Sequence, residues 1–284
     1  TSPDGINWTA GTLPFTGVEA IASGGGYFVV VAFTSGLSAY STDGLAWTSG
    51  ATLAAGNWVA LGYGDGTFVA TCIGPSTAAA SSTDNGVTWT PRTLASSANW
   101  RSVAYGAGLF VAVGDSDSVC TSPTGATWTT RTGGGLSTNW WGVVFDGTAF
   151  VASGGGTPGA SMRSTNGTSW TETSIPSSAA VRGVAADGQG SFIAVQDGSY
   201  NVCRRSTDGI NFSGVSWPSS AIARSIAFGA STFVTAPNST TSVTMYSVGG
   251  LGVVATATLT NAAAGATSFP NVRPMFRPNI FMTH

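Results

Sequence analysis

The sequence predicts an all-β fold, a β-propeller of four-stranded antiparallel blades, and three observations predict it. The first is one short motif, here called the box, which occurs six times: Ser2–Thr9, Ser41–Thr48, Ser82–Thr90, Ser122–Thr129, Ser164–Thr171 and Ser206–Ser213. Each copy opens on Ser, has Asp, Asn or Thr before a Gly, and closes on Trp8, Trp47, Trp89, Trp128, Trp170 or Phe212. The second observation is the spacing of those aromatic residues, 39 or 42 positions, which is the length of one blade of short strands. The third is a second motif between the boxes, beginning at Val18, Trp58, Trp100, Trp140, Val181 and Ala223. It holds two runs with the period-two alternation of a strand, split by a Gly-rich turn.

The elements of one unit follow in order. Strand a and strand b are the two alternating runs. The turn between them includes Asp65-Gly66, Asp146-Gly147 and Asp187-Gly188, pairs that accept the left-handed backbone of a tight hairpin. Strand c leads into the box, as in Ser38-Ala39-Tyr40, and strand d leaves it through the aromatic residue. Six a–b units imply six blades, or seven if Leu251–Thr260 helps to build another. The chain starts inside a box and without Met, so a processed or shortened N-terminus is expected. Residues 1–12 then supply only a strand d, which is expected to pair beside Val243–Ser247 and close the last blade. Closure of that kind removes exposed sheet edges. The division is thus a propeller over residues 1–260 and a non-repeat arm over 261–284, which contains Pro270, Pro274 and Pro278 with Phe269, Phe276 and Phe281.

Composition narrows the function classes. Charged residues are 8%, Lys is absent, and the net charge is −2, so no basic field points to nucleic acid. No apolar run is long enough for a membrane span. Cys72, Cys120 and Cys203 have no metal-ligand spacing and read as small buried hydrophobes. His284 is the only histidine, which argues against a Ser/His/Asp set. No facing pair of carboxyl groups is recognisable for glycoside hydrolysis. Neither a catalytic set, a metal site nor a cofactor is expected.

The box resembles the Asp-box (BNR) repeat, roughly S-x-D-x-G-x-x-W, which Ser82 to Trp89 matches in full. The resemblance covers residues 1 to about 250. It implies that Asp4, Asp43, Asp84 and Asp208 are turn-holding rather than catalytic, and that the closing aromatics pack into the sheets. Thr124 and Asn166 replace the Asp in two boxes, where a weaker turn is expected. The run from Trp100 to Gly114, with Ser2 to Trp8, is also similar to repeat proteins of bacteriophage tails and virion appendages. That implies a non-enzymatic structural or adhesion protein, located on a virion surface or otherwise extracellular, secreted or periplasmic. Its implied partners are other virion proteins or identical subunits, through the 265–284 arm, and a cell-surface glycan.

Aligning the a strands places Glu19, Val59, Arg101, Trp141, Arg182 and Arg224 at one equivalent position. In a propeller the innermost strand lines the channel, so these residues are expected to ring one mouth. Three Arg and a Trp there suit a carboxylate, a phosphate or a sugar. The bland alternative is that each Arg is an exposed strand-start residue bonded to a neighbouring blade. Sialidases also carry Asp-box propellers and grip a carboxylate with three Arg, so a sialidase-like glycoside hydrolase is a second reading. A cellular scaffold resembling photosystem II assembly factors is a third.

Overall fold

The computed structural model describes residues 1–3, 7–156, 159–196, 202–216, 223–229, 232–237, 242–249 and 252–260. Each of the six a–b units opens a four-stranded antiparallel sheet with its strands in sequence order. The first holds β1 (Val18–Gly24), β2 (Tyr27–Ala32), β3 (Ser38–Ser41) and β4 (Thr48–Ser49). The second holds β5 (Asn57–Gly64), β6 (Thr67–Ile73), β7 (Ser76–Ser82) and β8 (Thr90–Ala98). The third holds β9 (Trp100–Gly106), β10 (Leu109–Gly114), β11 (Ser118–Ser122) and β12 (Thr129–Thr132). The fourth holds β13 (Trp140–Phe145), β14 (Phe150–Gly154), β15 (Gly159–Ser164) and β16 (Thr171–Ile175). The fifth holds β17 (Val181–Ala186), β18 (Phe192–Gln196), β19 (Val202–Ser206) and β20 (Ser213–Ser216). The sixth holds β21 (Ala223–Gly229), β22 (Thr232–Pro237), β23 (Ser242–Gly249) and β24 (Gly252–Thr260).

The a strands β1, β5, β9, β13, β17 and β21 pack against one another in that order, and residues of all six line a single cavity. The sheets are therefore arranged around an axis, as blades of a propeller. Five sheets carry the box between their third and fourth strands. The sixth joins β23 to β24 through residues 249–252 without one. The expectation of six or seven like blades is thus corrected to five box-bearing blades and a sixth sheet of different construction.

The expected closure by the N-terminus is corrected as well. The place beside β23 is filled by β24, paired from Ser242↔Thr260 to Gly249↔Gly252. Two strands adjacent in sequence close a hairpin through a short loop, at less entropic cost than joining distant segments. Thr12 instead lies against the first blade's box, bridging Ala46 in parallel, the contact that Thr93 of β8 makes with Thr127 in the third blade's box. Asp4 and the 261–284 arm lie outside the described residues.

Within each box the side chains take over the turn's backbone donors. Ser41 Oγ donates to Asp43 Oδ1 at 2.9 Å and accepts from Gly44 N at 2.8 Å. Asp43 Oδ1 also accepts from Leu45 N and Ala46 N at 2.8 and 3.0 Å. Asp208 repeats this on Ile210 N and Asn211 N, both at 2.8 Å. Asn166 makes the same two bonds at 2.9 Å, so no weakening is visible in the hydrogen-bond geometry there. An amide oxygen replaces a carboxylate oxygen without changing the geometry. At Thr124 it does occur: the hydroxyl accepts only from Ala126 N, at 3.4 Å. Trp47, Trp128 and Trp170 each donate their indole N–H to the box Gly carbonyl, at 3.1, 3.2 and 3.2 Å. The box at Asp84 is one residue longer and places Asn85 at φ 62°, and its Trp89 N–H reaches Ser38 Oγ of the first blade at 3.1 Å.

The core is divided among the interfaces between blades. One apolar cluster joins the first and second sheets around Val29, Trp58 and Phe68, and a second joins the second and third around Val69, Trp100 and Phe110. The third, fourth and fifth interfaces centre on Trp140 and Phe150, Val184 and Phe192, and Ile193 and Phe233. Cys72, Cys120 and Cys203 are buried in these clusters as free thiols.

Candidate functional site

Strand a carries a feature that period-two alternation does not predict. In all six a strands the pairing register shifts by one residue, and the residue left out of the ladder is Glu19, Val59, Arg101, Trp141, Arg182 or Arg224. The position singled out from the sequence is therefore a β-bulge in every blade. A bulge bends the strand and re-aims the extra residue's side chain. The residue before it is held: Trp58, Trp100 and Trp140 are fully buried, and their indole N–H groups donate to Ala54 O, Ser96 O and Asp117 Oδ1.

The cavity along the axis has a volume of about 800 Å³. Glu19, Arg101, Trp141 and Arg182 line it at the bulge end, and Tyr63, Tyr105, Phe145 and Phe228 line it deeper along the same strands. The structure thus brings together four of the five candidate mouth residues. The Arg224 side chain lies outside the described ones, although its backbone occupies the equivalent bulge. Val59 is an apolar member of the same wall.

Three blades meet at Trp141. The Arg101 guanidinium lies 4.0 Å from the ring centroid and the Arg182 guanidinium 3.9 Å. The two arginines come from the blades before and after that of Trp141. Both are cation–π contacts well within the attractive range. Arg101 is in turn gripped by Asp115, with Nε donating to Oδ1 and Nη2 to Oδ2 at 2.8 Å, while Asn99 Nδ2 donates to Oδ2 at 2.7 Å. Burial alone would raise the Asp115 carboxyl, but the bonds from Arg101 and Asn99 and the Arg101 charge outweigh it and hold the group below its ordinary value. Asp115 therefore stays ionised and helps to hold the guanidinium over the indole. Glu19, from β1, is buried and lines the same cavity.

Asp115 and Asn99 were not among the residues singled out in the sequence. Antiparallel register pairs Trp100 with Gly114 and so sets Asp115, the residue after strand b, opposite Asn99, whose carbonyl accepts from Asp115 N at 3.1 Å; the carboxylate reaches Arg101 from there, across the bulge. Among the described residues no group of three or more His, Cys, Asp or Glu is gathered as metal ligands, and no helix is long and apolar enough to cross a membrane.

No protein-family model matches the chain, and no curated protein matches its sequence. Its fold does match solved structures. A streptogramin B lyase aligns with a TM-score of 0.74 at 14% identity, over 90% of this chain and 87% of that one. Virginiamycin B lyase from Staphylococcus aureus gives 0.69 at 16% identity, over 79% of each chain. YCF48 from Cyanidioschyzon merolae gives 0.64 at 16% identity, over 88% of this chain and 87% of that one. The chain is a β-propeller. At these identities the likeness establishes the fold alone.

Proposed function

We propose that this propeller is a non-enzymatic structural and adhesion module of the Asp-box type, carried on a bacteriophage tail or another virion appendage, and that its channel mouth binds a surface glycan. One observation carries the binding part. On a scaffold that repeats small residues one position on and aliphatic residues two positions on, the bulge position varies in charge, from Glu to Val, Arg and Trp, and it lines a cavity of about 800 Å³. A wall position of uniform structural role would repeat its chemistry with its neighbours, whereas a ligand-reading position diversifies. The virion part is supported by the sequence resemblance of Ser2–Trp8 and Trp100–Gly114 to phage appendage repeats. Identical subunits or other virion proteins are the proposed partners of the 265–284 arm.

The test has two parts. Immunodetection should find the chain in purified particles, and its absence from them overturns the virion assignment. Screening the purified protein on a glycan array should give binding that is lost in Trp141→Ala, since removing the indole takes away the surface against which Arg101 and Arg182 are held.

An enzymatic reading is favoured by the two lyases among the structural neighbours. Turnover of a streptogramin B antibiotic or of a fluorogenic sialoside by the purified protein would establish it in place of adhesion. YCF48 favours a scaffold role, for which the decisive result is capture of a membrane complex that is lost in Arg182→Ala.

A further inference from the structure

The contacts at Trp141 restrict what the mouth can recognise. An aromatic side chain binds a neutral sugar by offering one open face to the ring's C–H groups. Here the indole lies between two guanidinium groups, at 4.0 and 3.9 Å, contributed by the blades on either side. The mouth presents two guanidinium groups instead, held in place by the stack. Arg101 uses Nε and one Nη2 hydrogen on Asp115, and its Nη1 donors have no partner among the described residues. Cationic residues are scarce in this chain, ten Arg and no Lys in 284 residues, yet three of the ten occupy the one bulge position. Planar, forked donors pre-organised on an aromatic surface match oxyanions in geometry as well as charge.

We infer that the mouth selects an anionic ligand, one bearing carboxylate, sulfate or phosphate oxygens, and discriminates against the neutral form of the same ligand. Trp141 acts as the spacer that sets two guanidinium groups across its faces, and Asp115 acts as the positioning residue for one of them. This inference rests on the glycan-binding reading for the site and adds the charge of the ligand.

The experiment uses the full chain and three probes: galacturonate trisaccharide, its neutral methyl ester, and inorganic tripolyphosphate. Binding is followed by calorimetry at two salt concentrations. The expected result is that the free acid binds at least tenfold more tightly than the ester, with an affinity that falls as salt rises. Arg182→Gln should remove at least tenfold of the affinity for the acid and leave the ester unchanged. Arg182→Lys keeps the charge without the planar fork and should retain part of the affinity. Arg131→Gln, on the outer strand β12, should match the parent and shows that a general loss of positive charge is not being read. Thermal unfolding of each variant identifies any that fails to fold. Equal binding of acid and ester overturns the inference while leaving glycan binding intact. Binding of tripolyphosphate alone keeps the anion selectivity and overturns the glycan reading. Failure of all three probes to bind overturns both.

Discussion

A Cβ placed on Gly24, Gly64 or Gly106 would collide with the ring of Tyr63, Tyr105 or Phe145 in the next blade. Each of those rings also packs on its own blade's Phe68, Phe110 or Phe150, at centroid separations of 4.6, 4.8 and 4.7 Å. The glycines are thus sockets, and the ring deeper in the channel is an interlock between blades. Gly64→Ala should destabilise by about 1–3 kcal/mol as an overpacking defect. Adding Tyr105→Ala should recover part of that loss, so a double-mutant cycle in urea should give a clear coupling term. A second residue-level expectation concerns the box carboxylates. Backbone N–H groups of Leu45 and Ala46 hold the Asp43 carboxyl below its ordinary value, and those of Asn211 and Ile210 do the same for Asp208. As pH falls the unfolded chain takes up protons on these groups before the folded chain does. Their contribution is therefore complete above the unfolded value of about 3.9 and is lost as pH falls through the lower folded values. Asp43→Asn, which copies the geometry already present at Asn166, should be slightly less stable than the parent at pH 7. It should also lose less stability between pH 4 and pH 2, as read by denaturant midpoints.

The bulge in strand a is the element on which the candidate site is built. It frees one side chain per blade from the ladder, and the loop after strand b then decides how that side chain is held. In the third blade that loop brings Asp115 to Arg101, with Ser116 and Asp117 at φ 56° and 59°, a conformation uncommon for residues other than glycine. Asp115→Asn breaks a charge-assisted pair whose side chains are 17% and 21% exposed, and should cost about 1–3 kcal/mol. The loosened guanidinium should also weaken ligand binding, whereas a purely structural Asp115 would affect stability alone; measuring both separates the two. Much of this element was legible in the sequence. The repeat gave every a, b and c strand, and the equivalent mouth position, because turn residues and period-two alternation are local signals. Asp65-Gly66 forms the expected left-handed pair, φ 46° and 73°. Asp146 and Asp187 instead cap longer turns, accepting from Thr148 N and Ala149 N, and from Gln189 N and Ser191 N. The bulge was not legible, since alternation assigns the same faces with or without one unpaired residue. The fourth strand of the sixth sheet falls in Leu251–Thr260, the segment expected to help build a seventh blade, because no box precedes β24 to mark it as a fourth strand.

At the scale of the molecule, among the described residues, no blade owns a core. Every large apolar cluster lies between two sheets, so removing one blade uncovers the faces of its neighbours. Such sharing favours concerted unfolding over the stepwise opening of a linear repeat array. The three cysteines test this, because they sit in different interfaces: Cys72 between the first and second sheets, Cys120 between the second and third, and Cys203 between the fifth and sixth. Burial pushes the Cys72 thiol up, and pushes that of Cys203 up to about 11. Neither a reactive thiolate nor an exposed sulfur is offered by the folded state. A maleimide should therefore leave the folded protein unlabelled at pH 7.5 and modify three sites once it is denatured. Across a urea series, mass spectrometry of each cysteine peptide should give one common labelling midpoint, coincident with the change in tryptophan fluorescence. A Cys203 midpoint well below those of Cys72 and Cys120 would mean that the sixth sheet, whose fourth strand is added without a box, detaches on its own, and the shared-core account would then apply only to the five box-bearing blades.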